Sequence, residues 1–88
     1  MNKEQRKVLA GLATDLDEAR GKVEDIKAQI ETLRDEEQEK YDNMPENLQG
    51  GERGEKLDQA ITELQDAIDN IERMDFDWVI EALGRAEE

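Results

Sequence analysis

The sequence predicts an all-α fold: an antiparallel helical hairpin of coiled-coil type, self-associating into a helical bundle. Three observations carry that prediction. Leu9, Leu12, Leu16, Ala19, Val23, Ile26, Ile30 and Leu33 step by alternating three and four residues, the a and d positions of a heptad repeat. Leu57, Ile61, Leu64, Ile68 and Ile71 keep the same time on a second segment. Between the two segments Pro45 and the Gly50-Gly51 pair interrupt any continuous helix.

Asn2 and Gln5 form an N-cap with a reciprocal partner three residues on, so the first helix begins at Lys3. It runs to about residue 42, a length of about 60 Å at 1.5 Å per residue. Gly11 and Gly21 fall on outward positions, where each costs about 1 kcal/mol against Ala. Past Leu33 the seam fails. Glu37 stands where an apolar residue is due, inside the charge run Asp35-Glu36-Glu37-Gln38-Glu39, and there the helices splay or end.

The connector spans residues 43–51. Pro45 cannot continue a helix and pushes Met44 toward extended backbone. Asn43 is placed to cap a short turn through Leu48, and Gly50-Gly51 to supply the reversal. Tyr41, Met44 and Leu48, the apolar residues here, plug the end of the hairpin or form a small sticky tip.

The second helix covers about 52–73, with Glu52 and Glu55 at the positive end of its dipole. After Ile71 the pattern changes phase. Phe76, Val79, Ile80 and Leu83 make their own stripe, while Trp78 stays on the old one. Two readings fit: a break with Asp75 or Asp77 capping a short third helix over 76–86, or a continuous helix with a stutter.

At 88 residues the chain is a single small domain near the lower limit for a self-sufficient core. Charged residues make up 42% and hydrophobic ones 35%, a balance that permits disorder unless the apolar residues are regularly spaced, as they are here. A lone hairpin buries only one side of its seam, which argues for self-association. The net charge of −13 is uneven: residues 1–44 carry 8 basic and 12 acidic groups, residues 45–88 carry 4 and 13. Such a surface repels phosphate backbones and anionic lipid, which excludes direct binding to nucleic acid or membrane. The partners it fits are itself and another protein.

No catalytic constellation is present. Histidine and cysteine are absent, removing the commonest general base and the usual zinc ligands. The sequence has no serine, and Thr14, Thr32, Thr62 and Tyr41 have no partner base. Asp15-Leu16-Asp17 and Asp75-Phe76-Asp77 lack the glycine and terminal Glu of a calcium loop. Gly50-Gly51-Glu52-Arg53-Gly54 lacks the strand and the Lys-Ser/Thr of a phosphate loop. The prediction is a non-enzymatic protein without cofactor or metal. No apolar run reaches membrane-span length and no signal-peptide core opens the chain, so a cytoplasmic location is expected.

Two candidate binding surfaces follow. One is the acidic face of the second helix, Asp58, Glu63, Asp66, Asp69 and Glu72, able to meet a basic surface or to imitate a phosphate track. The other is the C-terminal stripe with Phe76 and Trp78, two of the chain's three aromatic residues. Arg34, Lys40 and Arg53 flank the connector and could meet an anionic small molecule where subunits join.

The connector Asp42-Asn43-Met44-Pro45-Glu46-Asn47-Leu48-Gln49-Gly50-Gly51-Glu52-Arg53-Gly54-Glu55, with the acidic run before it and the Ala60-Ile61, Leu64, Ala67-Ile68 ladder after it, resembles small uncharacterised proteins of tailed bacteriophages and prophages. The resemblance covers roughly residues 20–72. In that group a Ser commonly occupies the position of Gly51, where it would cap the second helix; Gly makes a weaker cap. The resemblance implies a viral or prophage origin and the host cytoplasm, and transfers neither an activity nor functional residues.

Overall fold

The computed structural model describes residues 1–87 and is all-α, with no strand among the described residues. Its helices are α1 (Lys3–Asp42), α2 (Glu46–Gln49), α3 (Glu52–Glu72) and α4 (Phe76–Ala86). Packing divides the chain into two units. One joins Met1–Asp25 to the chain from Met74 on, and the other is Ile26–Arg73.

In the first unit, α1 opens on a reciprocal box. The Gln5 amide donates to Asn2 Oδ1 at 2.8 Å, and the Asn2 amide donates to Gln5 Oε1 at 3.1 Å, satisfying two donors that the first helical turn leaves without partners. The sequence left a break or a stutter open near Asp75, and the break is found. Asp75 Oδ1 accepts from the Trp78 amide at 2.9 Å and starts α4 as a separate helix. Leu9, Ala13 and Leu16 of α1 and Phe76, Ile80, Ala82 and Leu83 of α4 are half-buried, and no residue of this unit is fully buried among those described.

In the second unit α1 and α3 run antiparallel: Lys27 reaches Glu72, and Arg34, seven residues on, reaches Gln65. Ile68, 2% exposed, is the one fully buried large side chain among the described residues. Leu57, Ala60, Ile61, Leu64, Ala67 and Ile71 of the same helix are half-buried.

The corner of this hairpin departs from expectation in two ways. Asn43 does not cap the short helix. α2 carries no side-chain cap, because its N-cap is Pro45, which has no side-chain acceptor; the Pro45 carbonyl accepts from the Leu48 and Gln49 amides at 2.8 and 3.2 Å. Gly50 and Gly51 turn the chain at φ −82° and −85°, with no left-handed backbone. The residue that holds the corner is Gln49. Its side-chain amide donates to the Tyr41 and Met44 carbonyls at 3.0 and 3.3 Å, tying the end of α1 to the connector, where the Tyr41 carbonyl also accepts from the Met44 amide at 3.1 Å. Its backbone lies so close to Gly54 that a Cβ there would sit 2.0 Å from the Gln49 carbonyl oxygen.

The seam also shifts. The half-buried row of α1 is Leu9, Ala13, Leu16, Arg20, Val23, Lys27, Ile30 and Arg34, so the chain covers its own a positions and the flank beyond them. Leu12, Ile26 and Leu33, expected inside, are 53%, 45% and 52% exposed. The cause lies on the covered flank. Arg20, Lys27 and Arg34 recur there at seven-residue steps, and their stems shield apolar surface while their heads reach acceptors on the opposing helix.

Glycine substitutions separate the corner from the arms. Gly54→Ala should lower the free energy of unfolding in urea by about 1–3 kcal/mol, because backbone must move to admit the methyl. Gly11→Ala and Gly21→Ala meet nothing within 4 Å and should each raise it by about 0.5–1 kcal/mol. A neutral Gly54→Ala would show that the corner is not tightly packed.

Candidate functional site

The predicted site residues fall in two places, one in each unit. Asp58, Glu63, Asp66, Asp69 and Glu72 stand on α3; Phe76 and Trp78 stand on α4.

On α3 the acidic residues are not equivalent. Glu72 pairs with Lys27 of α1 at 3.5 Å, and Lys27 also lies 4.0 Å from Glu31. Asp69 is half-buried and accepts from Gln65 Nε2 at 2.9 Å, while Gln65 Oε1 accepts from Arg34 Nη1 at 2.7 Å. Arg34, Gln65 and Asp69 therefore form a relay in which the amide passes a cation's polarity on to a carboxylate. These two acids help to hold the hairpin. Asp58, Glu63 and Asp66 remain exposed, but at 3.6 residues per turn Glu63 lies about 140° round the helix from Asp58. The exposed acids form a broad negative surface rather than one line.

On α4 the two aromatics have different surroundings. Phe76 is half-buried and lines a shallow groove with Leu16, Met74 and Val79. Trp78 is 61% exposed, Met74 54% and Val79 40%. Asp77, between the aromatics, pairs with Arg20, which also bridges to Asp17 on its own helix. The start of α4 is thus fixed by the Asp75 cap and the Arg20 bridge, and the Trp78 ring is presented from an anchored turn.

A third place lies in the second unit at the connector. Lys40, Asn43, Met44, Pro45, Leu48 and Arg53 line an open groove of about 620 Å³ with an apolar floor. Lys40 donates to Glu37 at 2.8 Å. That hydrogen bond, and then the Glu37 charge itself, raises the ammonium above its usual pKa, while Arg53 pulls it down. A raised folded value means the contact is fully present below the ordinary lysine range and is lost only as pH climbs through it. Arg53 has no ion pair of its own among the described residues. Of the three basic residues that flank the connector, Lys40 and Arg53 share this groove, and Arg34 is committed to Gln65 and Asp35.

Sequence reasoning missed Gln49 and the packing at Gly54. Nothing local distinguishes a glutamine that will bond across a turn. The signal at Gly54 was legible, since a glycine in the first turn of a helix marks close approach of another backbone. Among the described residues no three acidic side chains converge on a point that could hold a metal, and no helix is long and apolar enough to cross a membrane.

No family model, curated protein or solved structure matches this chain.

The relay and the exposed ion pairs should contribute unequally. Arg34→Met should cost about 1 kcal/mol in urea unfolding, because Gln65 loses a charged donor in a part-buried place. Glu72→Gln, across a pair whose carboxylate is 54% exposed, should cost under about 0.5 kcal/mol. The reverse order would show that the Lys27 contact, rather than the relay, sets the register.

Proposed function

We propose that this chain is a non-enzymatic accessory protein of phage type that works by binding another protein, and that α4 makes the contact. The observation that carries the reading is Trp78, the chain's single tryptophan, left 61% exposed on a helix fixed at its start, with Met74 and Val79 also exposed in the same segment. A large aromatic held in place at low entropic cost is the usual anchor of a protein interface, and an exposed Met adapts to the partner's shape. Of the acids in this segment Asp75 caps the helix and Asp77 pairs with Arg20, while Glu81 is exposed, so the complementary surface is mainly apolar. The acidic surface of α3 is a separate candidate contact, suited to a basic partner surface. In its most concrete form the target is a host nucleic-acid-binding or defence protein, with Asp58, Glu63 and Asp66 standing where phosphates would.

The test is capture of a host protein from lysate by the tagged full chain, at low and at physiological salt. Trp78→Ala should weaken capture more than tenfold while circular dichroism and the unfolding midpoint stay unchanged. The triple change Asp58→Asn, Glu63→Gln, Asp66→Asn should lower capture by a few fold and flatten its salt dependence. Capture that survives Trp78→Ala but vanishes with the triple change would transfer recognition to the acidic surface.

A second reading, an oligomer that sequesters an anionic nucleotide, is favoured by one observation: Lys40 and Arg53 share an apolar-floored groove. Calorimetric titration with a panel of nucleoside phosphates decides it. Heat of binding that is lost in Arg53→Ala supports the trap, and silence across the panel sets it aside.

A further inference from the structure

From the open heptad row of α1 we infer that a second copy of this chain covers it, α1 packing against α1. Each unit leaves the same register uncovered. Leu12 is 53% exposed in the first, with Val8 on the flank beside it at 62%, and Ile26 and Leu33 are 45% and 52% exposed in the second. Leu12, Ala19, Ile26 and Leu33 recur every seven residues, which is the repeat of a surface that receives a helix. Where the row begins, Met1, Val8, Leu9 and Leu12 line an open apolar groove of about 340 Å³.

Three arguments identify the occupant as a copy of the chain. The first is need. With one large side chain fully buried, the chain leaves 6702 Å² accessible, against roughly 5300 Å² for a folded monomer of its mass. A cover required for folding must be present whenever the chain is made, and a second copy always is.

The second argument is charge. Residues 1–34, which carry the open row, contain 7 basic and 7 acidic groups and are net neutral. The whole of the −13 lies beyond them. Two α1 seams can therefore approach without net repulsion. α3 bears 2 basic and 7 acidic residues and would repel its own copy.

The third argument is geometry. A two-fold interface uses one patch twice, and a heptad row is complementary to itself, so the open stretch of α1 in either unit can receive the same stretch of a second copy. The inference stands independently of the α4 reading, since Trp78 takes no part in it.

Light scattering and sedimentation of the full chain test it, together with circular dichroism. The wild-type chain should have a mass of at least twice 10.1 kDa and an unfolding midpoint that rises with protein concentration. Leu12→Gln with Leu33→Gln should bring the mass down to one chain and abolish the concentration dependence. If the variant also unfolds, the wild-type concentration dependence by itself carries the inference. Trp78→Ala should leave the mass unchanged. A wild-type chain that stays at 10.1 kDa with a concentration-independent midpoint overturns the inference, as does a double variant that keeps the wild-type mass. Dissociation by Trp78→Ala alone would place the contact between copies on α4, and overturns it too.

Discussion

A heptad stripe has two flanks, and one opposing helix can cover only one of them. Most of this structure follows from that constraint. α1 carries a and d residues from Leu9 to Leu33, and the chain supplies it with a single layer of helix, α3 in one unit and α4 in the other. The covered flank is the one where Arg20, Lys27 and Arg34 recur. On that side half-buried apolar residues, Leu9, Leu16, Val23 and Ile30, lie beside cations that each find an acceptor on the opposing helix: carboxylates for Arg20 and Lys27, the Gln65 amide oxygen for Arg34. On the other flank Leu12, Ile26 and Leu33 offer apolar surface alone, which any helix with the same repeat can use. The chain's own charge pattern thus decides which half of the seam stays internal.

The corner of the Ile26–Arg73 unit makes this choice of flank permanent. Gln49 ties the end of α1 through two carbonyls, and its backbone rests on Gly54 in the first turn of α3. A side chain at position 54 would push the start of α3 away and rotate what it presents. Fixing the direction of α3 fixes which of its acids face α1. Glu72 and Asp69 are drawn into the hairpin, while Asp58, Glu63 and Asp66 stay available at the surface. The acidic sequence of α3 is therefore divided between residues that pair within the hairpin and residues left at the surface.

The helices and the break at Pro45 were legible in the sequence because they rest on local signals: periodicity, the Asn2–Gln5 box, a proline. The Asp75 cap was legible as one of two alternatives, and its hydrogen bond to the Trp78 amide decides between them. The register was not legible. A heptad pattern states which residues are apolar, but choosing between its flanks requires knowing that Arg20, Lys27 and Arg34 will each find an acceptor some 31 to 57 residues away. The inequality among the α3 acids was hidden for the same reason, since partners across the hairpin distinguish Asp69 from Asp66. Of the two aromatics proposed for binding, Phe76 falls on the new stripe and Trp78 on the old one, a difference that matters only if the helix breaks. Only the direction of the helix started by Asp75 leaves one half-buried and the other open.

The central claim is that α1 gives one flank of its seam to its own chain and the other to a second copy. Isotope-filtered nuclear Overhauser spectroscopy on an equal mixture of labelled and unlabelled chains reads this directly. Contacts between chains should arise from the methyl groups of Leu12, Ile26 and Leu33, while those of Ile68 and Leu64 should show contacts within one chain only. Inter-chain contacts at Ile68 and Leu64, or none at Leu12, Ile26 and Leu33, would contradict the account.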